Sequence, residues 1–172
     1  ADEYRNFVTD RFGAESSAVE LLGKENTDWQ KEIFRTAVGT DHNITVSGGL
    51  NNMPYRVSIG YTNQNGILKT SKFERYTGSV NLAPIFVEDH LNINFNAKGM
   101  ISSNRFADTG AIGAAIAFDP TQPVMNGNSK YGGYFTWTGD YTPDGTRATS
   151  AGVNPVSMLE MVDDRSTAKS FI

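Results

Sequence analysis

The chain has 172 residues, a net charge of −4, a pI near 5.1 and no cysteine. Its acidity, and the absence of a Lys/Arg run interleaved with aromatics, argue against a phosphate-binding basic surface of the kind that holds nucleic acid, so no nucleic-acid partner is expected. Without cysteine there is neither a disulfide framework nor a thiolate metal site. Seventeen glycines, 11% aromatic residues and many Asn, Ser and Thr point to a turn-rich, mainly β protein.

The first forty residues carry helical signals. Glu3 to Phe12 places Tyr4, Phe7, Val8 and Phe12 on one stripe, predicting an amphipathic helix that Gly13 ends. Ser17 to Glu20 has the S-x-x-E form of a capping box, with Gly23 as a stop. Thr27 to Gln30 repeats that grammar before Trp29, Ile33, Phe34 and Ala37, and Gly39 is expected to close the helix.

From His42 the apolar period becomes two. Ile44 and Val46 alternate with Thr45 and Ser47 up to a turn at 50–53, and Tyr55, Val57, Ile59 and Tyr61 alternate with Arg56, Ser58 and Thr62. Asn65-Gly66 gives a tight-turn signal. Tyr76, Gly78, Val80 and Leu82 alternate with Arg75, Thr77, Ser79 and Asn81, and Pro84 stops the ladder. The stretch from His90 to Ser103 follows, with Leu91, Ile93, Phe95, Ala97 and Ile101 opposite Asn92, Asn94, Asn96 and Lys98. Its length exceeds an ordinary globular strand and suits a tilted strand crossing a bilayer. Short links between four such strands require an antiparallel meander.

Beyond Ser103 the alternation stops. Thr109 is placed to cap a helix through Ile112 and Ile116 that the prolines at 120 and 123 end, and Asn154-Pro155 opens another helix with Val156, Leu159 and Val162 inside. The predicted division is 1–41 helical connection, 42–103 four antiparallel strands and 104–172 long loop with short helices.

Chemistry is sparse. His42 and His90 have no convergent partners and are assigned structural or solvated roles rather than catalysis. Asp140 and Asp144-Gly145 depart from calcium-loop spacing and suit a Pro-Asp-Gly turn, while Asp163-Asp164 suits a solvated helix end. Gly110, Gly113 and Gly132-Gly133 lack the context of a phosphate cradle. No catalytic residues, cofactor or metal are expected. Tyr131, Tyr134, Trp137 and Tyr141 are the candidate ligand- or partner-binding group, since exposed aromatics stack on sugars or fill partner pockets; the competing assignment is that they pack the long loop onto itself.

Several stretches carry a resemblance. These are Thr27-Asp28-Trp29-Gln30-Lys31-Glu32-Ile33-Phe34-Arg35-Thr36-Ala37 and His42 to Gly49, then Ser58-Ile59-Gly60-Tyr61, Gln64-Asn65-Gly66-Ile67, Phe73-Glu74-Arg75-Tyr76 and Val80-Asn81-Leu82. Gly110 to Ala115, Phe118-Asp119-Pro120-Thr121 and Asn154-Pro155-Val156 complete the set. Together they resemble the barrel domain of SusC/RagA-type TonB-dependent outer-membrane transporters.

The resemblance implies an antiparallel four-strand meander from a large transmembrane β-barrel, with short helices in the flanking long loops. The parent would import glycans or peptides through the outer membrane by gated binding, without bond chemistry. Its partners would be a SusD-like surface lipoprotein, outer-membrane lipid, and the TonB complex through parts outside this chain. No plug is present, so the chain is expected to be an excised piece that self-associates to hide its sheet edges. The alternative from another class is a soluble, secreted β-sandwich carbohydrate-binding module.

Overall fold

The computed structural model describes residues 1–51, 53–86, 91–127, 129–137 and 152–172. These fall into two compact units, residues 1–35 with 107–162, and residues 36–106 with 163–172. The second unit is the sheet, and the first is the helical insertion.

Five strands build the main sheet: β1 (Gly39–Leu50), β2 (Met53–Asn65), β3 (Lys72–Leu82), β6 (Phe95–Phe106) and β7 (Asp164–Phe171), all antiparallel in the order β1-β2-β3-β6-β7. Between β3 and β6, β4 (Ile85–Phe86) and β5 (Leu91–Asn92) form a separate two-stranded pair. The expected meander is therefore present, and the structure adds a fifth strand. Asp163-Asp164, expected at a helix end, instead leads into β7. Its sequence, Asp-Arg-Ser-Thr-Ala-Lys-Ser-Phe, has too few apolar residues to show an alternation, so pairing with β6 decides its conformation.

The long strand expected from His90 to Ser103 is interrupted. His90 lies outside the described residues, Leu91 and Asn92 belong to the small hairpin, and the ladder runs from Phe95 to Phe106. Period-two alternation is indifferent to such a break, because both pieces are extended.

In the helical unit, α1 (Asp2–Phe12) ends at Gly13, whose φ of +86° suits a residue without Cβ. Of its expected stripe only Val8 is buried, while Phe7 and Phe12 are exposed. Helix α2 (Ser17–Glu20) starts at Ser17 rather than being capped by it, with Ser16 at the N-cap and no side-chain bond there. Helix α3 (Trp29–Ile33) is capped by Asp28, whose carboxylate accepts the Lys31 N–H, and not by Thr27. The Thr27 hydroxyl donates to the Gln122 carbonyl at 2.6 Å instead. Nor does Gly39 close that helix, which ends at Ile33. Helices α4 (Gly110–Ala117) and α5 (Pro155–Glu160) occur where expected. The Gly110 N–H is held by the Asp108 carboxylate at 2.8 Å, and the Thr109 side chain makes no cap bond.

The core of this unit comprises Trp29, Ile33, Ala111, Ala115, Phe118, Val156 and Leu159, all buried, whereas Val162 lies past the end of α5 and is exposed. A turn at Asp119–Gln122 ties the core to the chain around residues 21–29. The Trp29 indole donates to the Asp119 carbonyl at 2.9 Å. The Asp119 carboxylate accepts from the Thr121 N–H and hydroxyl at 2.8 and 2.7 Å, and the same hydroxyl accepts from the Gly23 N–H at 2.8 Å. Gln122 donates from Nε2 to the Leu21 carbonyl at 2.8 Å.

Gly23 is fixed by this knot, since a Cβ there would stand 2.0 Å from the Thr121 carbonyl oxygen. Both tryptophans, Trp29 and Trp137, belong to this unit, so intrinsic fluorescence follows its unfolding. Gly23→Ala is expected to lower the urea midpoint by the equivalent of about 1–3 kcal/mol, the usual cost of overpacking. Gly113→Ala, on an open helix face, is expected to leave the midpoint unchanged or raise it, by up to about 1 kcal/mol.

Candidate membrane face and loop site

Directly opposed residues of an antiparallel pair lie on the same face, so the strand register sorts every side chain of the sheet. On one face the rungs read Leu50–Met53, Gly48–Tyr55–Leu82–Phe95, Val46–Val57–Val80–Ala97, Ile44–Ile59–Gly78–Gly99–Phe171 and His42–Tyr61–Tyr76–Ile101–Lys169. On the other they read Ser47–Arg56–Asn81–Asn96, Thr45–Ser58–Ser79–Lys98, Asn43–Gly60–Thr77–Met100–Ser170 and Asp41–Thr62–Arg75–Ser102–Ala168. The alternation of each strand thus converges on one apolar and one polar surface. The apolar surface is uncovered, with Ile44 70%, Ile59 66% and Phe171 73% exposed.

The height of that band is informative. From Leu50 to His42 along β1 the chain climbs roughly 27 Å at about 3.4 Å per residue. Tilted by about 40°, this is about 21 Å of vertical height, near the apolar belt of about 25 Å on membrane barrels. At one margin Tyr61 and Tyr76 pack with ring centroids 4.8 Å apart. The Tyr61 hydroxyl donates to Glu74 at 3.4 Å and accepts from Asn63 Nδ2 at 3.1 Å, both one rung beyond the band. Rings in the apolar zone with hydroxyls turned to the polar margin are the arrangement of an interfacial aromatic girdle.

The polar face is hydroxyl-rich. Thr45 and Ser58 are hydrogen-bonded at 2.9 Å, and the Thr62 hydroxyl donates to the Asp41 carboxylate at 2.7 Å while accepting from the Arg75 guanidinium at 3.4 Å. A groove of about 360 Å³ crosses this face, lined by Asn43, Ser58, Thr77, Lys98, Met100 and Ser170 among others. Its lining mixes small polar side chains and one cation, Lys98, with the apolar Met100 and Ile172. Among the described residues no cluster of His, Asp and Glu is arranged to hold a metal.

The expected aromatic group divides. Tyr141 lies outside the described residues, as do Asp140, Asp144 and Gly145. Trp137 ends a series of edge-to-face contacts, with Trp29–Phe118 at 4.8 Å, Phe118–Phe135 at 6.2 Å and Phe135–Trp137 at 5.3 Å. It is half-buried, as is Tyr131 in a 3-10 turn at Ser129–Tyr131. Tyr134 pairs with Met125 in an isolated bridge, and its hydroxyl donates to the Glu160 carboxylate of α5.

Asn154 assembles this region, a role beyond the N-cap that its sequence position signals. Only 1% exposed, it accepts the Val156 and Ser157 N–H groups through Oδ1 and donates through Nδ2 to the carbonyls of Val124 and Phe135 at 3.0 and 2.9 Å. Those carbonyl partners carry no signature in the sequence, because they come from segments remote along the chain.

An open antiparallel sheet with one exposed apolar face, an apolar band of near-bilayer height and an aromatic margin has the pattern of a membrane β-barrel wall. No protein-family model matches the chain. It is 49% identical over 99% of its length to the TonB-dependent receptor SusC of Bacteroides thetaiotaomicron, and spans 18% of that receptor. TonB-dependent receptors P26 and P3 of Formosa agariphila are 33% and 30% identical over 63% and 64% of the chain, which spans 11% and 12% of them. The solved RagAB peptide importer, in its closed-closed state, is 29% identical over 63% of this chain and 13% of that one, with a TM-score of 0.44. The chain is a stretch of a SusC-like TonB-dependent receptor, a protein of the outer membrane.

The hydrogen bond to Glu160, with some burial, pushes the Tyr134 hydroxyl up to about 12. Because the neutral phenol is the form held, this bond is intact below the ordinary tyrosine value of about 10 and is lost as the pH rises through about 12. Tyr134→Phe should therefore remove a tyrosine that ionises only near pH 12. In tyrosinate absorbance, the difference between wild type and variant is expected to develop near pH 12; a difference developing near pH 10 would dismiss the bond.

Proposed function

We propose that this stretch supplies early barrel strands and outward-facing links of a TonB-dependent transporter that imports glycans or peptides by binding and gated passage, without bond chemistry. The carrying observation is the register, which gathers the apolar residues of five strands onto one exposed band of bilayer height. That band meets lipid, and the polar face turns to the lumen. The 49% identity to a SusC receptor supports this reading over a soluble sugar-binding sandwich. Coupling to a TonB complex falls to parts of the receptor outside this stretch.

Direction follows from the links. The β1–β2 turn and the 83–94 connection lie at one end of the sheet, while the 66–71 link and the insertion at 107–163 join at the other. The 83–94 connection is longer than the 66–71 link, so the direction rests on the insertion at 107–163, much the longest of the connections; membrane barrels carry their long loops outside, which assigns the helical unit to the external side. There it would meet a SusD-like lipoprotein and the incoming substrate, with Tyr131, Tyr134, Trp137 and Tyr141 as contact residues. The half-buried Trp137, braced from behind by Phe135, is suited to stacking on a sugar ring or filling a peptide pocket.

In the full-length receptor, Ile59→Arg should deplete assembled, heat-modifiable protein, because a cation on the lipid face near the midplane costs about 2–4 kcal/mol. Ser58→Arg, one residue along on the polar face, should assemble at close to wild-type level. Equal tolerance of both would overturn the assignment of faces. Trp137→Ala should assemble normally and bind substrate about tenfold more weakly, in the range of one lost aromatic hot spot; undiminished affinity would remove Trp137 from the contact group.

A further inference from the structure

Beyond the tyrosine margin the apolar face of the sheet becomes cationic. Lys72, Arg105 and Arg165 are direct register partners on β3, β6 and β7, and so stand side by side on the same face as Tyr76 and Ile101. Lys72 lies four residues beyond Tyr76 on its strand, roughly 14 Å along it at about 3.4 Å per residue. Lys169 occupies the rung of Tyr76 and Ile101 itself.

Three cations aligned across adjacent strands repel one another, and two carboxylates hold them. Asp163 lies between the arginines, 3.0 Å from Arg105 Nε and 2.8 Å from Arg165 Nε, and Glu74 lies 3.0 Å from Lys72 Nζ. Both Asp163 contacts use the inner nitrogen of the guanidinium. No described protein group hydrogen-bonds the terminal nitrogens of Arg105 or Arg165, and the Lys169 amine has no hydrogen-bond or ion-pair partner among the described residues. With Lys169 included, four cations face two carboxylates, leaving net positive charge and free guanidinium donors.

We propose that Lys72, Arg105 and Arg165, with Lys169, form a binding site for the phosphate group of a membrane lipid at the rim of the apolar band. The inference rests on the membrane-face reading above. A bound lipid would lay its acyl chains on Tyr76, Ile101 and Phe171 and present its phosphate to the terminal guanidinium nitrogens. Arginine suits that task because its planar donor fork matches phosphate oxygens, and basic side chains near a bilayer surface favour anionic headgroups. The cationic row shares its face with the apolar band, one polar rung (Thr40–Asn63–Glu74–Ser103–Thr167) beyond its tyrosine margin, and this spacing of headgroup and chain surfaces selects a lipid over a soluble anion, which would have no use for the apolar surface below. Asp163 then acts as a positioning residue, hydrogen-bonded to Arg165 Nε and ion-paired with Arg105, with the outer nitrogens free.

The test uses the full-length receptor in detergent, titrated in native mass spectrometry with phosphatidic acid, phosphatidylcholine or inorganic phosphate. The expected result is preferential retention of phosphatidic acid, weakened about thirtyfold in Arg105→Gln/Arg165→Gln and unaffected in Lys98→Gln on the opposite face. Inorganic phosphate should not displace the lipid at equal concentration. Undiminished preference in the double variant overturns the site, and displacement by inorganic phosphate overturns the lipid as its ligand. Wild-type receptor that binds none of these lipids and shows no heat-modifiable form would instead overturn the membrane reading and the site together. A heat-modifiable wild type without the preference overturns the site alone.

Discussion

Register is the constraint on which the sheet depends. A slip of one residue between neighbouring strands would carry a whole set of side chains to the opposite face, placing Val57 and Ile59 among the hydroxyls and Arg56 and Ser58 in the apolar band. In a sheet whose faces meet such different surroundings, that slip is penalised at every rung at once. The tight Leu50–Met53 turn fixes the first pair, and the remaining strands inherit its phase. The tyrosine pair, the hydroxyl network and the cationic row are consequences of one alignment, since each needs neighbours from different strands at the same level.

The helical unit obeys a different rule. Its apolar core is small, and buried polar groups give it a definite shape: Thr121 is 0% exposed and Asn154 1%. Each is fully engaged, because a buried polar group without a partner costs about 1–3 kcal/mol. Asp119, Thr121 and Gln122 bind the chain around 21–29, while Asn154 gathers the carbonyls of 124 and 135 onto the start of α5. These bonds span long sequence separations, so they fix how distant segments meet. Aromatic edge-to-face contacts from Trp29 to Trp137 run through the same region and add packing between the same segments.

Much of this was legible in the sequence, and the omissions have physical causes. Strands β1, β2 and β3 announced themselves because apolar and polar side chains alternate at successive positions along them. β7 did not, because Asp164 to Lys169 is polar on both faces and becomes a strand only through the edge of β6. The break between Leu91 and Phe95 left alternation untouched. Helix starts at Ser17 and Thr27 were misplaced by a residue because Ser16, Asp28 and their neighbours offer competing caps, and tertiary bonding took Thr27 for Gln122. The Asp-Pro-Thr string marked the family, yet nothing in its letters indicated that Gly23 must pass beneath the Thr121 carbonyl. Tyr134 and Trp137 stood out as aromatics in a loop; the bond of Tyr134 to Glu160, and the packing of Phe135 behind Trp137 onto Phe118, depend on segments that only folding brings near.

Phe106 and Asp164 are register partners, so the chain leaves β6 and re-enters β7 across a single rung. To the rest of the wall, everything between those two residues is a hairpin connection whose content is invisible. Lineages can therefore lengthen, shorten or exchange the inserted helices without renegotiating any strand pairing. The cost of a longer loop grows only with the logarithm of its length. The strand pairings of the sheet and the content of the insertion are thus set independently of one another.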